Sequence, residues 1–222
     1  MLLPELKLCE RCHLHKTRTQ VVLPRGNPEA KVVFTGEAPG RMEDMYGKPF
    51  VGQAGSWFTA IVDFLGLTEN CFYLTNIVKC RPTTVEGRNR KPLEEEIKAC
   101  SYWYTQELAQ IKPKVLVLMG QTALDAFFVG TKISNVAGEE VLGHIISRKW
   151  GTRIFALFHP ATLVYNQKYY LPIYKTSLIN LNRLLTEEGL NNSNSKHVEL
   201  PEFWQNAEVV WAMEIDGYKE DA

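Results

Sequence analysis

Val32-Val33-Phe34-Thr35-Gly36-Glu37-Ala38-Pro39-Gly40 is the stretch that decides the fold. Its first four residues are apolar or β-branched, and a glycine-bounded loop follows at once. Strands that are apolar on both sides are buried on both sides, which is the situation of a parallel sheet covered by helices. Outward from this stretch, three more runs share the character: Phe72-Tyr-Leu-Thr75, Val115-Leu-Val-Leu-Met119 and Ile154-Phe-Ala-Leu-Phe158. Helical segments follow them in turn, at residues 55–65, 93–111, 122–128 and 171–185. Strand alternating with helix predicts an α/β fold with a parallel sheet wrapped on both faces.

In such sheets, ligands bind beyond the carboxyl ends of the strands. Gly36-Glu37, Asn76, Gly120 and His159 all fall at those ends. Four separate strand ends on one rim predict a pocket there.

The 222 residues, 45% of them hydrophobic, are enough for one good-sized domain with a substantial core. No run approaches the roughly 20 apolar residues of a membrane span. The opening Met1-Leu-Leu-Pro4 passes directly to charged residues, unlike a secretory leader. The expectation is a cytoplasmic monomer with no membrane partner. In that compartment a clustered set of cysteines binds metal more often than it forms disulfides.

The net charge of zero hides an asymmetry. From Lys196 onward there are seven acidic residues against Lys196 and Lys219, so the rest of the chain carries a net +5. A mildly basic body is compatible with a nucleic-acid partner without demanding one. Residues 187–196 turn polar and read as a linker. The chain therefore divides into a domain at 1–190 and a linker with acidic tail at 191–222. Phe203, Trp204 and Trp211 make the tail too aromatic for a solvated spacer, so it is expected to dock on the body or on a partner protein.

Four cysteines carry the first candidate chemistry. Cys9 and Cys12 form a C-x-x-C, Cys80 closes a strand-like run, and Cys100 lies on the helical segment 93–111. Four thiolates suit zinc or an iron–sulfur cluster, and spacing alone does not choose between them. Four separate buried thiols are the bland alternative. Cys71 is expected in the core. The expectation is that the thiolates tie the N-terminus to the body around a metal centre, while the glycine loop, with His159-Pro160, builds the pocket.

The loop 36–40 is either a tight crossover or a place where backbone N–H groups meet a ligand. Phe50 sits between Pro49 and two glycines, Gly52 and Gly55, a poor setting for core packing. It is either a core aromatic or a platform for stacking a base. Asn76 brings a carboxamide to the end of an apolar strand, where it must find hydrogen bonds. It either caps local backbone or reads the edge of a planar amide. His159, before Pro160, carries the same ambiguity.

Taken together these residues resemble the family 4 uracil-DNA glycosylases, the iron–sulfur branch of the uracil-DNA glycosylase superfamily. The likeness is carried by Gly36-Glu-Ala-Pro-Gly40, Glu43-Asp44, Gly47-Lys-Pro-Phe-Val-Gly52, Ala54-Gly55, Thr75-Asn-Ile-Val-Lys-Cys80-Arg-Pro82 and His159-Pro-Ala161, with the four cysteines in order. It runs from Cys9 to about Leu185. The resemblance implies a three-layer α/β/α sandwich around a four-stranded parallel sheet, and a 4Fe–4S cluster on Cys9, Cys12, Cys80 and Cys100. It implies excision of uracil from single- or double-stranded DNA, leaving an abasic site. Gly36, Glu37 and Ala38 would line the uracil with backbone groups, Phe50 would stack on it, Asn76 would read its edge and His159 would reach O2.

Ala38 stands where the best-known branch of the superfamily has a water-activating aspartate, so water positioning falls to Glu37, Glu43 or electrostatics. The loop after His159-Pro160, expected to wedge the DNA, reads Ala-Thr-Leu-Val-Tyr165 in place of the more usual serine or alanine followed by tyrosine. Residues 82–92 hold Arg88 and Arg90 but no histidine, unlike a related branch that traps uracil-DNA covalently, so turnover is expected. The rival classes are a binding protein that recognises uracil-DNA without cleaving it and a cluster-containing nucleotide-binding protein.

Overall fold

The structure, a computed structural model, describes residues 3–191. The acidic tail lies outside the described residues, and so do the expectations for it. Five strands form one sheet: β1 (Arg25–Gly26), β2 (Val32–Gly36), β3 (Phe72–Asn76), β4 (Val115–Met119) and β5 (Arg153–Leu157). Their order is β1-β3-β2-β4-β5. The four long strands are parallel, as the sequence predicts, and β2, β3 and β4 are buried at every position. The addition is β1, a two-residue antiparallel partner on the outer edge of β3. Two residues are too short to show any periodicity.

Helices cover both faces. The larger are α2 (Gln53–Phe64), α3 (Glu94–Ile111) and α8 (Gln167–Glu187). Shorter ones are α1 (Arg41–Tyr46), α4 (Gln121–Asp125), α5 (Ile133–Val136), α6 (Ile145–Trp150) and α7 (Ala161–Tyr165). In α3 the glutamates 94–96 oppose the positive end of the helix dipole, and Glu96 reaches back to the Leu93 N–H at 2.7 Å. Its buried residues Cys100, Trp103, Tyr104, Glu107, Leu108 and Ile111 recur at three and four, so one face looks inward. Asn166 caps α8 by accepting from the Tyr169 N–H.

Alternating strand residues feed two cores. Phe34, Phe58 and Phe72 meet edge to face on the side of α2 and α8, at centroid distances of 5.2–5.9 Å. Truncating such a ring to alanine costs about 3–5 kcal/mol. Val33, Leu116 and Leu118 face the other way, onto α3 and the N-terminal segment. The result is three layers. Among the described residues no helix is long and apolar enough to cross a membrane.

Candidate active site

The register of the sheet sets the first contact of the site. Gly36 ends β2 directly beside Asn76, which ends β3. A Cβ on Gly36 would lie 2.4 Å from Asn76 Oδ1 and 3.0 Å from the tip of Phe50, so only glycine lets these two side chains meet. Asn76 is 4% exposed, and its carboxamide is not among the buried polar atoms left without a partner, so the little surface it keeps is at the strand ends.

Phe50 departs from the reading that its setting is poor for core packing. It is 5% exposed and belongs to the core beneath α2, with Phe58 at 5.0 Å and His159 stacked at 5.5 Å and 30°. It gets there with φ of +55°, a conformation non-glycine residues seldom adopt. Two contacts hold it. A Cβ on Gly55 would fall 2.1 Å from the Phe50 carbonyl oxygen, so glycine in α2 makes room for the bend. Glu43 Oε1 accepts from the Phe50 N–H at 2.6 Å, and Glu43 Oε2 accepts from the Gly40 N–H. Glu43 thus staples the two ends of the loop. Burial raises its pKa, opposed by those two N–H groups. Its neighbour Asp44 accepts twice from the Thr19 N–H, fastening the N-terminal segment to α1.

His159 lies two residues past β5. The Ala161 N–H donates to Nδ1 at 3.2 Å, which leaves the ring proton on Nε2. Burial lowers the pKa to about 4, although part of the residue still meets solvent, so the ring is neutral near pH 7. The backbone is fixed on both sides: Tyr174 Oη donates to the Phe158 carbonyl at 2.5 Å and Thr162 Oγ1 to the His159 carbonyl at 2.8 Å. Glu37 and Ala38 are half-buried on the loop after β2. Glu37 Oε2 accepts from Thr122 Oγ1 of α4, a partner 85 positions away that no local pattern reveals.

The four cysteines of the sequence reading line one small cavity on the α3 side, together with Leu6, Arg18, Val78 and Lys79. N–H donors point at their sulfurs, that of Leu14 at Cys12. Trp103 Nε1 lies 3.0 Å from Cys9 Sγ, Arg18 Nη1 3.3 Å from Cys80 Sγ, and the Lys79 N–H 3.3 Å from Cys100 Sγ. Burial still pushes Cys80 up to about 11 and Cys100 to about 12, and raises Cys12. Such groups become thiolates only if a cation compensates them. No three His, Cys, Asp or Glu side chains among the described residues are gathered tightly enough to grip a single metal ion. Cys71 stands apart, packed half-buried against the core before β3. The strand-end rim and the cysteine cavity are close along the chain: only three residues separate Asn76 from Cys80.

Comparison with known proteins gives the family. Residues 23–185 match the family model of the Uracil DNA glycosylase superfamily. A type-4 uracil-DNA glycosylase of Archaeoglobus fulgidus is 38% identical over 164 residues, covering 72% of this chain and 80% of the relative. One from Thermotoga maritima is 39% identical, covering 73% and 81%. One from Saccharolobus solfataricus is 37% identical, covering 73% and 75%. By fold, strand-end residues and likeness along most of its length, the chain belongs to the uracil-DNA glycosylase superfamily.

Proposed function

We propose that this protein excises uracil from DNA, hydrolysing the N-glycosidic bond and leaving an abasic site, the opening step of base excision repair. The observation that carries the proposal is the Asn76 carboxamide at the end of β3, close against Gly36, where the Phe50 ring also comes in and stacks on a neutral histidine. A carboxamide offers one donor and one acceptor side by side, the pattern that the edge of uracil complements.

Breaking the bond builds positive charge on the sugar and negative charge on the departing uracil. The Nε2–H of His159, held by its Nδ1 contact, donates to O2 where that charge develops. A neutral donor suits this role, because it keeps its proton throughout. Phe50 and Asn76 offset the few kcal/mol that unstacking the base costs. Glu43 has both oxygens committed to backbone N–H groups. Glu37 accepts from Thr122 through Oε2 alone, so we assign water positioning to Glu37.

Cys9, Cys12, Cys80 and Cys100 would hold a 4Fe–4S cluster. Four cysteines around one cavity, each of two buried sulfurs met by an N–H donor, suit a multi-iron group bound by thiolates. Its proposed contribution is to fasten the N-terminal segment to α3. The compartment proposed is the cytoplasm, supported by five free cysteines. An oligonucleotide with one uracil, followed by alkali cleavage, tests the function. Strand scission only after alkali is the expected result, and binding without scission overturns it.

A further inference from the structure

Lys79 is a lysine in a place where lysines are seldom found. It is 1% exposed, beneath the sheet between β3 and α3. All three of its ammonium protons are used: on Thr75 Oγ1 at 2.5 Å, on the Asn76 carbonyl at 2.7 Å and on Glu107 Oε2 at 2.7 Å. Its main chain is equally committed. The N–H donates to Cys100 Sγ and the carbonyl accepts from the Val22 N–H at 2.9 Å. Thr75 also donates to Glu107 Oε2, and Thr35 bonds Tyr104, whose ring lies under the ammonium at 5.4 Å.

Burying a lysine and a glutamate is a poor way to gain stability, since an apolar pair of similar volume often does as well. This pair needs another reason. What it grips is the carbonyl of Asn76, the residue whose carboxamide lies against Gly36 at the strand ends. The dihedrals around that carbonyl set where the carboxamide points. Cys100, which accepts from the Lys79 N–H, fixes the main chain of Lys79 from the other side.

We propose that Lys79, braced by Glu107, is a positioning residue that holds Asn76 in register with the base and ties that register to the cysteine cavity. The inference rests on the reading of Asn76 as the base-reading residue. It makes base discrimination a property of the α3 layer as well as of the rim.

The test replaces the pair together, Lys79→Met with Glu107→Leu, so that no unpaired charge is left in the interior. The double variant is compared with the unsubstituted protein, with Asn76→Ala, and with the three changes combined. Melting temperature and bound metal are measured for each. Single-turnover release of uracil is expected to fall on the order of 10²-fold in the double variant, the scale of a small misplacement at a reacting centre. In the Asn76→Ala background the same change should have almost no effect, because its route is already gone. A folded double variant with unaltered uracil release overturns the inference, and so does an equal loss in both backgrounds. If the unsubstituted protein releases no uracil, the proposed function falls first, and the inference with it.

Discussion

The rim at Gly36, Phe50, Asn76 and His159 and the cavity at Cys9, Cys12, Cys80 and Cys100 are built on opposite principles. The rim is held in shape by the polypeptide itself. Its form comes from close backbone approaches, a strained Phe50, hydrogen bonds that Glu43 accepts, and others that Tyr174 and the Ala161 N–H donate. On the proposed reading the cavity is incomplete without its cluster: burial raises the pKa of Cys80 and Cys100, and N–H groups of Leu14, Arg18, Lys79 and Trp103 meet the sulfurs. On the same reading a preorganised rim lowers the barrier to reaction, because nothing has to move as charge develops, whereas the cavity would make folding conditional on what fills it.

The hardest blow to this contrast is Cys80→Ala. It removes a buried ligand from the incomplete side, so the protein is expected to lose its metal and brown colour and to unfold or aggregate. Elemental analysis and near-ultraviolet circular dichroism check this; stoichiometric zinc without iron in the unsubstituted protein would refute the cluster. On the rim, loss of function should come without loss of fold. Asn76→Ala is expected to lower uracil release by on the order of 10⁴-fold, since a site built around paired hydrogen bonds fails when they go. Asn76→Asp matches cytosine more closely, and weak release of cytosine is expected there. Nearly unchanged uracil release by Asn76→Ala would take the residue out of the pocket.

His159→Ala should act more gently, by on the order of 10²–10³ in the single-turnover rate, as for one lost oxyanion donor. Affinity for uracil-DNA should change less; an equal loss in affinity with an unaltered chemical step would contradict the role. The smallest effect is on stability. With the folded pKa of His159 near 4, the unfolded chain takes up a proton below pH 6.5 that the folded protein refuses. Stability from this group is therefore complete above pH 6.5 and declines as pH falls toward 4. Between pH 7 and 5 the melting temperature should drop further for the unsubstituted protein than for His159→Gln, by about 2–4 °C. Identical pH profiles would show that the histidine is not desolvated.

Much of this was legible in the chain. The four long strands declared themselves because burial on both faces leaves an unbroken apolar run. The strand ends then named Gly36, Asn76 and His159. Phe50 was half-read: its glycines were visible, but not that Gly55 lets the backbone fold back until the ring enters the core. Glu107, Arg18 and Thr122 left no local trace, since each bonds a partner 28 to 85 positions away, and the local bonds of Lys79 to Thr75 and Asn76 depend on Glu107 to bury its charge. The short helices α1, α5, α6 and α7 lack enough turns to show a period. Helix α8 starts four residues before its apolar pattern does, because its first turn is polar and Pro172 interrupts it.

The outer edges of the sheet carry one more consequence. An unpaired strand edge is a template on which another molecule can add itself. Here β5 is covered by a return of the chain, with Glu140 opposite Phe155 and hydrogen bonds from 138, 141 and 156. The other edge, β3, is covered only by Arg25–Gly26 and the Asn27 N–H. That cover lies on the same N-terminal arm that carries Cys9 and Cys12 and that Asp44 holds through the Thr19 N–H. Loosening the arm would uncover β3 and leave the protein prone to join its neighbours edge to edge, so solubility on storage becomes a readout of whether the arm is still in place.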